Sequence, residues 1–223
     1  MFKISTSKDA IQTSSGSSFI NASGIYDVTI KFASIDVSSG GAKSINFNVD
    51  YNGNSQTIYG PYIYDKAENP LEIGLKLVNS LAIIAGLRDG DQPTMEVETH
   101  NVGKDNKPQD FNVITEFTDL PIKLRIQMEY DKYNNEITEK KVIKAFFSAE
   151  GASAAEIIAQ ENGESVTIGK DLEKQSKYKD NITYKSGLTE ADVSSWKASR
   201  SNNKSAAPAP KPVANKTAGS LFK

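Results

Sequence analysis

The chain has 223 residues, 38% of them hydrophobic and 24% charged, with a net charge of −2. A domain of about 150 residues buries roughly 70% of its unfolded surface, so a chain this long can fold without a covalent staple. It contains no cysteine and a single histidine, His100, which excludes a disulfide scaffold, a redox dithiol and a thiolate zinc site.

The charge is unevenly placed. From Val193 to Lys223 the charged residues are Lys197, Arg200, Lys204, Lys211, Lys216 and Lys223, a +6 segment without an acid, whereas residues 1–192 hold 20 basic and 28 acidic side chains and carry −8. Opposite signs on body and tail suggest a polyelectrolyte partner, or a tail folded back on the body. Residues 1–23 show no signal-peptide pattern, and the longest apolar stretch, Leu81–Leu87, is far short of the ~20 residues that cross a bilayer. A soluble, cytoplasmic protein without a membrane partner is expected.

Residues 1–23 are rich in Ser, Thr and Gly and are expected to form a loose arm. In Gly24–Val37, Tyr26, Val28, Ile30 and Phe32 alternate with polar residues, the period of a half-buried strand; the phase then shifts to Ile35 and Val37, which predicts a bulge near Ala33. After the turn Ser38–Gly41, residues Ala42–Tyr51 set Ile45, Phe47, Val49 and Tyr51 against Ser44, Asn46, Asn48 and Asp50. Asn52-Gly53 is a two-residue hairpin signal, and Gln56–Tyr64 is the third strand of a meander. Asn69 as cap, Pro70 in the first turn and Glu72 in a capping box predict a helix carrying Ile73, Leu77, Leu81 and Ile84, with Gly86 at its exit.

Residues 88–112 read as irregular, with a short strand at Thr94–Thr99. Strands follow at Ile114–Phe117, Pro121–Tyr130 and Lys141–Ser148, with a turn at Tyr133–Glu136 and short helices at Ala152–Gln160 and Glu190–Ser199. From Ser201 the composition cannot bury enough apolar surface to fold. Three strands, a helix and further strands, without strand–helix alternation, argue against a doubly wound sheet. They match a mainly β, OB-fold-like five-stranded barrel with a helix after the third strand. The expected organisation is an arm over 1–23, the barrel domain over 24–160, a peripheral segment over 161–200 and a disordered basic tail over 201–223.

Little supports catalysis. His100 lies in a polar stretch and reads as a surface histidine, and neither a phosphate-binding glycine loop nor a HExxH pattern occurs. Glu96 and Glu98 share a strand face, where such pairs are usually solvated. No cofactor or metal is implied. Binding residues are easier to name. Single-strand binders stack bases on aromatic rings and track phosphates with cations. Tyr59, Tyr62 and Tyr64 cluster on the third strand, where parity puts Ile58, Tyr62 and Tyr64 on one face and Tyr59 and Ile63 on the other. Lys31, Lys43, Lys123 and Arg125 fall on polar strand faces, and Lys144 and Phe146 share a face of the last strand.

Two stretches carry a resemblance. One opens with Phe19-Ile20-Asn21-Ala22-Ser23-Gly24-Ile25-Tyr26 and runs through Lys43–Phe47 to Ala85-Gly86-Leu87; the other is Lys141–Ile157. In order and character they resemble the single-stranded-DNA-binding proteins of tailed bacteriophages, over roughly residues 19–160. The resemblance implies an OB-fold, sequence-independent binding of single-stranded DNA, and partners at a replication fork or in recombination. Many such proteins end in an acidic tail with a terminal phenylalanine. Here the end, Gly219-Ser220-Leu221-Phe222-Lys223, is basic. The alternative is a protein-interaction or virion-assembly module built on the same barrel.

Overall fold

The computed structural model describes residues 19–103 and 107–205. Their elements, in chain order, are β1 (Gly24–Val37), β2 (Lys43–Tyr51), β3 (Asn54–Tyr64), α1 (Glu72–Ile84), β4 (Met95–Val102) and β5 (Lys107–Ile114). After a 3₁₀ turn at Thr115–Phe117 come β6 (Leu120–Tyr133), β7 (Glu136–Ser148), α2 (Ala154–Glu161), α3 (Lys170–Ser176), β8 (Ile182–Tyr184) and α4 (Glu190–Ser205). Among the described residues, no helix is long and apolar enough to cross a membrane.

The eight strands form one open sheet, antiparallel except where β8 runs parallel to β6. β1, β2 and β3 form the expected meander. Asn52 and Gly53 both take positive φ at its second turn, as do Asn134 and Asn135 between β6 and β7. One edge of β1 pairs with β2; the other pairs with β6 over Gly24–Ile30 and meets β5 at Ser34. The β1 bulge falls at Lys31, two residues before the expected place and just where β6 gives way to β5. A bulged strand bends, which lets one strand serve both partners. β3 and β7 run beside each other, but no ladder joins them among the described residues. The closed five-stranded barrel of the sequence reading is therefore not formed. The sheet stays open at this seam, and α1 packs against both of its strands.

Several local expectations are corrected. The stretch read as irregular contains a long hairpin, β4–β5, paired from Met95↔Ile114 to Val102↔Lys107. The strand expected at Ile114–Phe117 is the end of β5 followed by the 3₁₀ turn. Asn69 does not cap α1: its backbone N–H and side-chain amide both donate to Asp65, Pro70 bridges to Tyr64, and Leu71 stands at the cap without a side-chain bond. The chain is thus held against β3 until Glu72. Ile73 points into solvent, and Gly74 takes the buried position instead. A Cβ on Gly74 would lie 1.9 Å from the Tyr62 carbonyl oxygen, so only glycine lets the helix sit this close to β3.

The core joins Ile30, Ile45, Phe47, Val49, Ile58, Leu81, Phe117, Leu124, Ile126 and Phe146, and reaches beyond the expected domain limits. Ile20, inside the stretch read as an arm, is fully buried, and Leu188 and Val193, inside the segment read as peripheral, belong to the same core. β8 continues the line of β1 along β6, pairing Met128–Tyr130 beyond the point where Gly24 meets Ile126. Trp196 of α4 packs edge-on against Tyr130. Ser153 caps α2 in a capping box with Glu156. The expected tail from Ser201 is α4 as far as Ser205 and otherwise lies outside the described residues.

Candidate functional site

The outer face of the β1–β2–β3 meander is built in three cross-strand rows. Phe32, Asn48 and Thr57 form one, Ser34, Asn46 and Tyr59 the next, and Asp36, Ser44 and Tyr62 the third. The alternation of polar residues along β2, visible in the sequence, supplies the middle of each row. Irregularities in register on β3 alter its parity between Ile58 and Tyr64. As a result, Ile58 and Ile63 both turn inward, while Tyr59 and Tyr62 both turn outward, 73% and 53% exposed. Parity had divided these two tyrosines between opposite faces. Gly60 makes the irregularity possible, since a Cβ there would lie 2.2 Å from the Ile45 carbonyl oxygen.

Three concavities meet at Tyr59. The first, about 370 Å³, runs over Asn46, Asn48 and Thr57 to Gln109, Asp110 and Asn112 of the β4–β5 hairpin, which forms its wall. The hairpin is anchored where His100 stacks on Phe32, with ring centroids 3.9 Å apart, and Phe111 packs beside them. His100 is thus not the surface histidine expected. Its Nε2 lies 2.7 Å from Glu98 Oε2, which employs the carboxylate considered for a cation. Among the described residues, no group of three metal-ligating side chains is placed to share an ion. A smaller hollow joins Asp36 and Ser44 to Tyr59 and Tyr62. The third concavity, about 540 Å³, lies along the open seam between Thr57–Tyr62 and Glu139–Val142.

The Asn46 amide is fixed at the centre: its Nδ2 donates to Asp36 Oδ2 at 3.2 Å, and its Oδ1 accepts the Gly60 N–H at 3.4 Å. Lys140 and Lys141 line the seam. Burial pushes the Lys141 ammonium below its ordinary value, against the upward pull of Glu139. Neither lysine was singled out by the sequence, because lysine on an edge strand carries no distinguishing pattern.

The remaining candidates are dispersed. Lys43 donates to Glu68 at 2.7 Å and lies 5.8 Å from the ring centre of half-buried Tyr64. Lys31 is paired with Asp119, and Lys123 with Asp27. Lys144 is exposed at a bulge of β7, opposite the Arg125–Ile126 step. Two candidates are corrected outright. Phe146 is 3% exposed and packs edge-on against Phe47, so it offers no face to a ligand. Arg125 is 7% exposed beneath the α3 region, where it donates to the Gln175 side chain and the Tyr178 carbonyl. The two errors have different causes: the bulge at Lys144 breaks the parity that had placed Phe146 beside it, and strand parity cannot see that α3 covers the face bearing Arg125.

Neither the models of known protein families nor the curated proteins contain a match to this chain.

Proposed function

We propose that this chain binds single-stranded DNA without sequence-specific recognition of a site, coating strands exposed in phage replication or recombination, on the outer face of β1–β2–β3. The observation that carries the reading is the placement of Tyr59 and Tyr62, two largely exposed rings on a concave polar surface, at the junction of three hollows. Rings held out in this way provide faces on which unpaired bases stack, each worth about 1–3 kcal/mol. Lys140 and Lys141 supply cations beside them. The order of β1, β2, β3, α1, β6 and β7, with β6 returning to β1, supports an OB-fold-like reading of the open sheet, without, among the described residues, the β3–β7 pairing that would close a barrel. Such folds bind oligonucleotides on this same region of the sheet. Proteins of replication or recombination are the partners this role entails.

A second reading has its own support. Lys31, Lys43 and Lys123 already face carboxylates. The edge strand β4 exposes Met95 and Val97, and an apolar sheet edge is a template for another chain. These features favour a protein-interaction or virion-assembly module. Fluorescence anisotropy with a labelled oligonucleotide separates the two. The nucleic-acid reading expects saturable binding, weakened by Tyr59→Ala by about 1–3 kcal/mol at an unchanged melting temperature, because the ring buries little. Absence of binding by the intact chain at low salt refutes it.

A further inference from the structure

The trough between the meander and the β4–β5 hairpin has a chemistry of its own. Among the described residues its lining contains Asp36, Asn46, Asn48, Gln109, Asp110 and Asn112, and no lysine or arginine. Two carboxylates make it a poor bed for a phosphodiester backbone, whose charge has the same sign. Among the described residues, one side chain donates to each carboxylate. Asp36 accepts from Asn46, and Asp110 Oδ1 accepts the Thr99 hydroxyl at 2.6 Å. An ionised carboxylate has about four lone-pair sites and no donor, so each retains acceptor capacity. A stacked ligand beside Tyr59 would meet acceptors seeking N–H groups.

From this geometry we infer that the trough is a base-edge site: bases enter it with their hydrogen-bonding edges, the backbone stays outside on the Lys140–Lys141 side, and bases bearing an exocyclic amine are preferred over thymine. The inference rests on the single-strand reading above and adds a substrate preference to it. Cytosine N4 and adenine N6 donate to a carboxylate, the pairing that aspartate makes with cytosine in duplex grooves. Single strands expose the same edges once unstacked. Thymine turns two carbonyl oxygens on its edge toward the same carboxylates and has only one N–H between them. Guanine has donors too, but its strands self-associate. The comparison is therefore clearest between the two pyrimidines, which have similar stacking area.

The test uses the full chain with labelled oligo-dC and oligo-dT of equal length, at pH 8 and fixed salt, where cytosine is unprotonated. Oligo-dC is expected to bind at least about fivefold more tightly, the lower end of discrimination by a good base contact. In Asp36→Ala/Asp110→Ala the ratio should fall toward one, while oligo-dT affinity holds or rises because negative charge has been removed. Asp110→Asn, on the exposed face of the hairpin, is the second variant should the double one unfold; it should lower the ratio in part. Equal binding of the two strands by the intact chain, or a ratio that neither variant moves, overturns the base-edge site and leaves single-strand binding standing. Failure to bind either strand overturns the underlying reading and this inference with it.

Discussion

At the scale of single residues, the aromatic side chains divide by what lies behind them. Tyr59 and Phe146 were equivalent candidates in the sequence, each an aromatic in a strand of alternating character. One projects from the surface, and the other fills the space between β2 and β7 beside Phe47. Their substitutions should therefore separate cleanly. Phe146→Ala is expected to cost about 3–5 kcal/mol of stability by loss of buried surface and creation of a cavity. Oligonucleotide affinity per folded molecule should stay unchanged. Urea unfolding paired with anisotropy checks this; a loss of affinity without a loss of stability would return Phe146 to the binding surface. The outward face of β2 was legible because Ser44, Asn46 and Asn48 alternate strictly with buried residues. The shared face of Tyr59 and Tyr62 was not, because it depends on how Gly60 and Pro61 meet the Ile45 backbone.

At the scale of elements, hairpins announced by Asn-Gly and Asn-Asn turns were readable because the signal is local. The β4–β5 hairpin was not. Its strands are mostly exposed and polar on both faces, so they lack the apolar alternation by which strands are found. The packing of α2 on α3 was hidden for a different reason. Glu156 is 5% exposed, and its carboxylate accepts the backbone N–H groups of Ser153, Gly169 and Asp171. Burial pushes this carboxyl up, but the surrounding N–H groups outweigh that effect and hold its pKa below the ordinary value. The ionised form therefore contributes stability that is fully present above the ordinary glutamate pKa of about 4.3 and is lost as pH falls through the lower folded-state value. Glu156→Gln, which offers one acceptor oxygen and unwanted donors, should destabilise the fold by about 2 kcal/mol at pH 7. The difference from wild type should shrink as the pH is lowered through the acid range and the native carboxyl is itself neutralised. Denaturant titrations at pH 7 and pH 3 measure both ends; a pH-independent difference would assign the effect to packing alone.

At the scale of the whole molecule, the opposition of an acidic body and a basic end was plain in the sequence, but the boundary between them was not. Leu188 and Val193 lie in the core, Lys197 sits 4.9 Å from the centre of the Tyr130 ring, and Arg200 sits 4.8 Å from that of Trp196. The first cation of the +6 segment is thus engaged with the body, and the second stacks on a ring of its own helix. Composition hid this because one tryptophan and a few aliphatic residues among serines and lysines are enough to anchor a helix. A truncation that tests the basic end must therefore begin after Ser205. Removing residues 206–223 deletes Lys211, Lys216 and Lys223, which lie outside the described residues, and keeps every anchoring contact named above. If all three neutralise phosphates of a bound strand, each contributes about 0.7 to the slope of log affinity against log salt. The truncated chain should then show a slope flatter by roughly 2 units, an affinity loss greatest at low salt, and an unchanged melting temperature. A rise in affinity would mean that these lysines compete with DNA for the acidic body. An unchanged slope would show that the end of the chain takes no part in phosphate neutralisation, leaving the lysines around the β3–β7 seam as the source of the salt dependence.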